Sequence, residues 1–586
     1  MGSIQPDYFP PPHDFDPPSN LRPSLYGWKN TSETGYQIDE TPSGVKKPLR
    51  VIVAGAGASG ISFAKFAQDQ LENLDVTIYD KNHDVGGTWI ENVYPGVACD
   101  IPSVTYQFGW EPKAWTKYYS EGPEILQYMT DVTHKYGLRK YFKVRHSIDK
   151  AEWDDGISKW KVDVTDLETD RSFQDECDVF INATGLLNNW KLPDVKGINQ
   201  FKGVVAHTAA YPASLDLHDK RVAVVGTGSS GIQVITKIQP QVEKLYTWIR
   251  SPTWMTVGFA QKYAGPDGGN FEYSEETKKK FAEDPDWYLK YRKTIETELS
   301  DFMFVHKNTP TNLEAHKFAV EDMKQRLASR PDLIDTLIPK TFSIGCRRPT
   351  PGNGFLEAII SPNVSTYLNK GLMELTENGF KDPDGHEQQV DVVIFATGFD
   401  TTWVSRFPII ANGKNLQEIN TEKPLSYIGV AAPEMPNYLT YYGPYGPTGV
   451  GSVLPMIERM TRYHLLWIEK MQVERIRSFT PKRQAVDEYS EHADLWHQRT
   501  VWSERCRSWM KGGKLEGNVL LYPGTRTQQM ELLSSLRPED FDITYRSTNR
   551  WNFLGNGYCM RDLNGKDLTW YLGLVDGIDK QRDYAL

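Results

Sequence analysis

The stretch that decides the fold is LRVIVAGAGASG, residues 49–60, in which a short apolar run leads directly into a glycine motif. The pattern G-x-G-x-x-G is typical of a strand that turns tightly into a helix and lets backbone approach a pyrophosphate. A second copy, RVAVVGTGSSG, occupies residues 221–231. Two such units predict two dinucleotide-binding folds, each with the free N–H groups of a helix N-terminus turned toward phosphate.

The residue after each second strand indicates which dinucleotide each unit prefers. Asp80 lies 20 residues after Gly60, where a carboxylate accepts a hydrogen bond from a ribose hydroxyl of FAD or NAD. Arg250 lies 19 residues after Gly231, where a guanidinium attracts the 2′-phosphate of NADP. A solvated cation at a strand end is the alternative interpretation of Arg250. We therefore expect FAD or NAD in the first unit and NADP in the second.

Composition excludes several classes of protein. The 586 residues are enough for two or more domains, and the net charge of -10 argues against a nucleic-acid partner. No apolar run approaches the length of a membrane span and no signal peptide is recognisable, so we expect a cytoplasmic protein, monomeric or weakly oligomeric. The five cysteines are scattered without a C-x-x-C, which argues against a disulfide framework and against a metal site.

Repeated strand endings predict the domain arrangement. Two apolar strands run into Ala-Thr-Gly, at residues 183–185 and 396–398, and these endings bracket the second glycine motif. We predict an α/β fold with two Rossmann-like domains, the NADPH domain being inserted into the FAD domain. The sequence leaves open whether the charged, helix-prone stretch of this insertion is a solvated excursion or a substrate lid. The predicted segments are an irregular arm (1–48), the first segment of the FAD domain (49–184), the NADPH domain (185–394, with a helical insertion at 273–338) and the second segment of the FAD domain (395–586).

Between the glycine motifs, residues 201–212 read FKGVVAHTAAYP. This segment resembles the F-x-G-x-x-x-H-x-x-x-W-[P/D] fingerprint of type I Baeyer–Villiger monooxygenases, with Tyr211 in place of Trp. The related flavin-containing N- or S-monooxygenases carry a similar fingerprint that ends in another aromatic residue, so the fingerprint alone leaves the two families unresolved. For His207 we expect a structural role, linking this strand to the domain hinge, rather than general-base catalysis.

Two further segments favour the Baeyer–Villiger family. GGTW (86–89) followed by YPGVACD (94–100) resembles the flavin-contacting stretch of that family, whose Asp corresponds to Asp100. GCRRP (345–349) resembles its active-site [KR]-R-P turn, which places the catalytic Arg at Arg348. The N- and S-monooxygenases lack this Asp/Arg pair.

The resemblance continues near the end of the chain. CRSW (506–509) is similar to the loop whose Trp closes over NADP in this family, so Trp509 is either a cofactor lid or a core aromatic residue. The resemblance spans about residues 49–523. The long N-terminal arm and the ending after residue 549 look like fungal members that act in secondary metabolism.

The resemblance implies an FAD- and NADPH-dependent enzyme that inserts one atom of O2 next to a ketone carbonyl and gives an ester or lactone. The implied route runs through a C4a-peroxyflavin and a Criegee intermediate. Arg348 would stabilise the anionic oxygens, because a guanidinium keeps its proton at working pH, and Asp100 would orient it. The aromatic stretch YYGPYGP (441–447) suggests a bulky natural-product ketone as substrate.

Two alternatives stay open at this point. One is an N- or S-hydroxylating flavin monooxygenase, and the other is a redox-inactive nucleotide-binding sensor. The glycine motifs and the resemblance together assign a set of cofactor-binding residues. They are Gly55, Gly57, Ser59, Gly60, Asp80, Gly87, Thr88, Trp89, Asp100, Tyr106, Gly226, Thr227, Gly228, Ser229, Ser230, Gly231, Gln233, Arg250, Ser251, Arg347 and Trp509.

Overall fold

A computed structural model describes residues 31–256, 258–352, 354–566 and 568–569. Most of the predicted N-terminal arm and the last residues of the chain lie outside the described residues. The described strands are, in chain order, β1 (Leu49–Ala54), β2 (Leu74–Asp80), β3 (Phe142–Val144), β4 (His146–Asp154), β5 (Lys159–Asp166), β6 (Arg171–Cys177), β7 (Val179–Asn182), β8 (Val204–His207), β9 (Arg221–Val225), β10 (Lys244–Ile249), β11 (Met255–Thr256), β12 (Thr350–Pro351), β13 (Val364–Leu368), β14 (Gly379–Lys381), β15 (Glu387–Gln389), β16 (Val392–Phe395), β17 (Ile409–Ala411), β18 (Lys414–Asn415), β19 (Tyr438–Thr440), β20 (Ile476–Pro481) and β21 (Phe541–Tyr545).

Helices cover the sheets and form the insertion. The described helices are, in chain order, α1 (Ala58–Gln70), α2 (Thr88–Glu91), α3 (Gly122–Lys135), α4 (Ser229–Ile238), α5 (Glu275–Glu283), α6 (Pro285–Glu298), α7 (Pro310–Arg326), α8 (Pro331–Leu337), α9 (Phe355–Ile359), α10 (Leu416–Glu422), α11 (Leu454–Glu474), α12 (Arg483–His497), α13 (Arg526–Leu532) and α14 (Met560–Leu563). No helix in this set is both long and apolar enough to cross a membrane.

The first glycine motif lies in a parallel sheet of order β19-β7-β1-β2-β3. Its central strand is apolar throughout its middle, and Val51, Ile52 and Val53 are fully buried. Such a continuous apolar run is expected of a parallel strand that is covered on both faces. Helix α1 follows β1 directly, and α11 packs against α1, with a hydrogen bond between the hydroxyls of Ser62 and Thr461 at 3.0 Å.

The second glycine motif lies in another parallel sheet, of order β13-β10-β9-β16-β8. The chain leaves the first sheet after β7, builds this whole second sheet, and returns to the first sheet at β19. The fold is therefore α/β with two Rossmann-like domains, the second inserted into the first. Because parallel neighbours end at the same edge, each sheet presents its glycine turn and its following strand ends together.

A third sheet, of order β18-β17-β4-β5-β6, was not predicted from the sequence. Alternate residues of β5 point inward, so that Trp160, Val162 and Val164 are fully buried. These side chains form one cluster with Ile52 and Phe180 of the first sheet. The third sheet therefore covers one face of the first sheet.

The helical insertion is built from α5 to α8, and local chemistry sets where these helices begin. The side chains of Ser274, Asp284 and Thr309 each accept a hydrogen bond from the backbone of the following helix. Such caps satisfy backbone donors that have no partner within the helix. The insertion contacts the first domain, since the Tyr288 hydroxyl donates to the carbonyl oxygen of Lys113 at 2.7 Å.

Candidate active site

The first glycine turn packs so closely against its own backbone that no side chain fits at Gly55 or Gly60. Gly55 has φ of +115°, and a Cβ there would lie 2.5 Å from the carbonyl oxygen of Ala183. A Cβ on Gly60 would lie 2.2 Å from the carbonyl oxygen of Gly55, so the helix packs directly on the turn. Ser59, in the first turn of α1, is partly exposed. The free end of α1 thus fits a pyrophosphate.

Asp80 ends β2 beside this turn. Its carboxylate accepts hydrogen bonds from the backbone N–H of Ala56 at 2.7 Å and of Asn82 at 2.8 Å. Burial raises the pKa of Asp80, and these two N–H groups oppose that shift. Each carboxylate oxygen has a second lone pair, so the group retains acceptor capacity for a ribose hydroxyl.

The second turn repeats this geometry. Gly226 has φ of +125°, and a Cβ there would lie 2.3 Å from the carbonyl oxygen of Ala396. A Cβ on Gly231 would meet the carbonyl oxygen of Gly226 at 2.0 Å. At Gly228 a Cβ would meet nothing within 4 Å, so open space lies over the start of α4. The other predicted residues of this turn, Thr227, Ser229 and Ser230, are exposed or partly exposed beside that space.

One predicted cofactor residue makes a different contact in the structure. The amide of Gln233 accepts a hydrogen bond from the Tyr94 hydroxyl at 2.8 Å and donates to the carbonyl oxygen of Ala98 at 2.9 Å. Tyr94 and Ala98 belong to the first domain, whereas Gln233 lies on α4 of the second. Gln233 therefore joins the two glycine-turn domains.

Asp100 and Arg348 meet at the boundary of these domains. One guanidinium nitrogen of Arg348 donates to the Asp100 carboxylate at 2.7 Å, and a second nitrogen contacts the other oxygen, so the pair is bidentate. The Arg348 guanidinium also lies over the Phe259 ring, 5.0 Å from its centroid. Burial opposes the charged form of Arg348, but the Asp100 carboxylate outweighs it and raises the pKa of Arg348.

The pair is not sealed from the cleft, because 34% of the Arg348 side chain and 19% of the Asp100 side chain remain exposed. Tyr106 lies near it, and burial together with neighbouring charges including Asp100 raises the pKa of that phenol. The Trp89 indole donates to the Tyr106 hydroxyl at 3.2 Å. Trp89 is on the short helix α2, which begins at Thr88 directly after Gly87.

Cationic side chains gather at a second place, beyond the end of β10. Arg250 is exposed there, followed by the partly exposed Ser251. The Nε of Arg347 is buried and has no hydrogen-bond partner among the described residues. Burial lowers the pKa of Arg347, and so do the nearby charges of Arg507 and Arg250. An unpaired buried donor among converging cations fits a phosphate, which supplies both charge and acceptor oxygens.

The cysteines correct one expectation. The scattered spacing argued against disulfides, yet the structure bonds Cys346 to Cys506, 160 residues apart in sequence. This pair meets because the segment that carries Trp509 folds back against the Arg-Arg-Pro turn. Trp509 begins a 3-10 turn and packs, partly buried, against the cluster around Trp502.

The fingerprint residues have structural contacts. His207 Nε2 lies 3.2 Å from the hydroxyl of Thr397, in the second Ala-Thr-Gly ending, and its Nδ1 accepts the Ala209 N–H. Its ring stacks on Trp190 at 4.8 Å between centroids. Tyr211 is buried, and its hydroxyl has no hydrogen-bond partner among the described residues.

The sequence predicted only part of a cavity at the carboxyl ends of β7 and β19, namely Tyr441 and Tyr442 of the aromatic stretch 441–447. The Ala-Thr-Gly ending at residues 183–185 was the available signal, since it marks where β7 reaches this edge. The lining residues come from several separate segments, so no local pattern joins them. They include Asn182, Thr184, Trp403, Arg406, Asn420, Tyr441 and Tyr442.

Comparison with known proteins identifies the family. The sequence model of the FMO-like, flavin-binding monooxygenase-like family matches residues 48–266. The chain is 39% identical to the FAD-binding monooxygenase tazF of Aspergillus terreus, over 95% of this chain and 100% of that protein. It is 37% identical to the FAD-binding monooxygenase stcW of Emericella nidulans, over 88% of this chain and 86% of that protein.

A solved structure of cyclohexanone monooxygenase from Rhodococcus sp. Phi1, bound to NADP+, matches with a TM-score of 0.73. It is 25% identical to this chain, and the match covers 86% of this chain and 100% of that one. The two glycine turns, their inserted arrangement and these similarities agree with one another. The chain belongs to the flavin-binding monooxygenase family.

Proposed function

We propose that this monooxygenase uses FAD and NADPH to insert one oxygen atom from O2 next to a ketone carbonyl, a Baeyer–Villiger oxidation that yields an ester or lactone. The observation that carries the proposal is the bidentate Asp100–Arg348 pair between the two dinucleotide-binding domains. Bound FAD, once reduced by NADPH, supplies the reactivity toward O2. The similarity to an NADP+-bound cyclohexanone monooxygenase supports the same assignment.

The chain supplies a fixed positive charge for this chemistry. Oxygen insertion beside a carbonyl develops negative charge on oxygen, and a preorganised guanidinium stabilises such charge without reorganisation. Arg348 keeps its proton, since the Asp100 carboxylate raises its pKa, so it acts as a permanent donor and not as an acid. Asp100 holds the plane of the guanidinium through two contacts. We therefore assign Arg348 as the catalytic residue and Asp100 as its positioning residue.

The charged side chains near the two glycine turns differ, and this difference assigns one cofactor to each turn. The carboxylate of Asp80 beside the first glycine turn favours the ribose of FAD, where a 2′-phosphate would be repelled. The cations Arg250 and Arg347 favour the 2′-phosphate of NADPH near the second turn. Tyr441 and Tyr442, from the aromatic stretch 441–447, line the cavity at the carboxyl ends of β7 and β19, which favours a bulky ketone as substrate.

The test compares the flavin-loaded wild type with Arg348→Ala on a panel of cyclic and bulky ketones under 18O2. We expect the wild type to form esters that carry one 18O atom, detected by mass spectrometry. Arg348→Ala should still oxidise NADPH but form ester about 10²–10³-fold more slowly, the usual loss for one preorganised donor. Arg483→Ala is the control, because Arg483 is an exposed residue of α12 that pairs with Asp487.

Two outcomes would contradict the proposal. One is full ester formation by Arg348→Ala. The other is a wild type that oxygenates amines or thioethers but no ketone, with that activity retained in Arg348→Ala. The second result would establish N- or S-hydroxylation, the activity that Tyr211 in the fingerprint leaves open.

A further inference from the structure

The segment that carries Trp509 is held firmly against the Arg-Arg-Pro turn. We call residues 504–511 the C-terminal loop. Besides the Cys346–Cys506 bond, the carboxylate of Glu504 accepts hydrogen bonds from the backbone N–H of Ser343 at 2.6 Å and from its hydroxyl at 3.0 Å. Covalent and polar contacts therefore fix the position of this loop in the free protein.

The disulfide has a direct electrostatic consequence. Arg347 follows one bonded cysteine and Arg507 follows the other, and the cysteine Cα atoms lie 6.4 Å apart. The bond thus keeps two guanidinium-bearing residues close together although their charges repel. Arg250 follows the end of β10, and its charge also lowers the pKa of Arg347. Three arginines from distant regions of the chain therefore lie near the Arg-Arg-Pro turn.

These arginines lack compensating acids. Among the described residues, Arg250, Arg347 and Arg507 form no ion pair with a carboxylate. The Arg507 side chain donates a hydrogen bond to the carbonyl oxygen of Gly513 at 3.3 Å. By contrast, Arg505, two residues earlier in the same loop, pairs with Glu516 at 2.9 Å. Converging cations that lack acids indicate an anionic ligand.

We propose that Arg507, held in place by the Cys346–Cys506 bond, binds the 2′-phosphate of NADPH together with Arg250 and Arg347. This deepens the proposed function, since it rests on NADPH as the ligand of the second domain, but it does not depend on the reaction. A phosphate monoester carries close to two negative charges and three acceptor oxygens, so it can accept hydrogen bonds from more than two guanidinium groups. Arg507, which lies in the C-terminal loop, is then a determinant of the preference for NADPH over NADH.

Binding measurements on the flavin-loaded protein test this directly. Isothermal titration with NADP+ and with NAD+ compares the wild type, Arg507→Ala and the control Arg505→Ala. We expect Arg507→Ala to weaken NADP+ binding about tenfold, the usual effect of one lost hydrogen bond to a charged group. NAD+ binding should stay unchanged because it has no 2′-phosphate. Arg505→Ala should bind both nucleotides as the wild type does, since its side chain is already paired.

A second comparison tests the role of the disulfide. The variant Cys346→Ser/Cys506→Ser should bind NADP+ more weakly than the wild type. Adding Arg507→Ala to this variant should cause no further loss of NADP+ binding. Equal NADP+ binding by Arg507→Ala and Arg505→Ala would overturn the proposal, as would equal weakening of NADP+ and NAD+. Because these readouts are binding constants, a protein that passes them yet forms no ester would refute only the proposed reaction.

Discussion

At the scale of single residues, the function of a charged side chain depends on the partner that the fold places beside it. Asp100 lies in a turn before a proline, and Arg348 precedes another proline, so each alone is consistent with an ordinary surface position. The structure joins them across 248 residues of sequence. Resemblance to a family predicted the pair, whereas no spacing rule could, because the contact depends on two domains coming together.

Tyr211 gives a prediction at this scale. Its ring is buried while its hydroxyl has no hydrogen-bond partner among the described residues, and an unsatisfied buried hydroxyl is destabilising. We expect Tyr211→Phe to keep the packing and raise the free energy of unfolding by about 1 kcal/mol, measured by urea-induced unfolding. Tyr128→Phe is the control and should lower it, because the Tyr128 hydroxyl donates to the carbonyl oxygen of Glu111 at 2.7 Å. Equal losses in both variants would contradict this expectation.

At the scale of elements, helices whose starts are coded locally were predicted well. The helical insertion predicted at 273–338 contains α5 to α8, and α5 begins next to its cap Ser274. The third sheet was missed, although Trp160, Val162 and Val164 alternate with polar residues in β5. That alternation identifies a strand but not its partner, and the pairing of β4 with β17 crosses the whole inserted domain.

The end of α12 predicts a pH dependence. His497 is 1% exposed, its Nε2 lies 2.9 Å from the carbonyl oxygen of Leu521, and burial lowers its pKa from 6.5 to about 4. Between these pH values the unfolded chain binds a proton that the folded protein does not, so stability falls as pH falls. At pH 4, His497 should lower the free energy of unfolding by ~3 kcal/mol.

The variant His497→Gln keeps an amide donor but does not titrate. We therefore expect its free energy of unfolding to fall less steeply between pH 6.5 and pH 4 than that of the wild type, as followed by urea-induced unfolding at a series of pH values. The control is His134→Gln, in which the replaced imidazole is exposed and whose profile should follow the wild type. A wild-type slope in His497→Gln would show that this histidine is protonated in the folded state.

At the scale of the whole molecule, contacts between distant segments of the chain join the two dinucleotide-binding domains. Gln233 contacts the first domain near Asp100, while the C-terminal loop contacts the Arg-Arg-Pro turn. The helical insertion is tied in a similar way, because Arg526 of α13 pairs with Glu296 of α6. The cleft is thus lined by segments of the chain that are hundreds of residues apart.

Arg526→Ala tests how strongly this last contact holds the molecule together. The Arg526 side chain is 8% exposed, and its removal leaves the largely buried Glu296 carboxylate without its counter-charge. Breaking such a pair costs about 3 kcal/mol, which should lower the midpoint of thermal unfolding. The double variant Glu296→Gln/Arg526→Gln should recover some of the loss. Arg483→Ala, which breaks an exposed pair, should change stability by at most about 0.5 kcal/mol, and an equal effect of Arg526→Ala would contradict the prediction.

The sequence by itself determined the two glycine turns, the strands that lead into them and the acidic or basic residue that follows each second strand. These features are local, since a tight turn, a close backbone approach and a strand end are all coded within about thirty residues. Only the tertiary structure decided that Gln233 joins the domains, that Cys346 bonds to Cys506, and that Arg507 lies beside Arg347. Those contacts arise from long-range packing of separate segments, which sequence spacing does not encode.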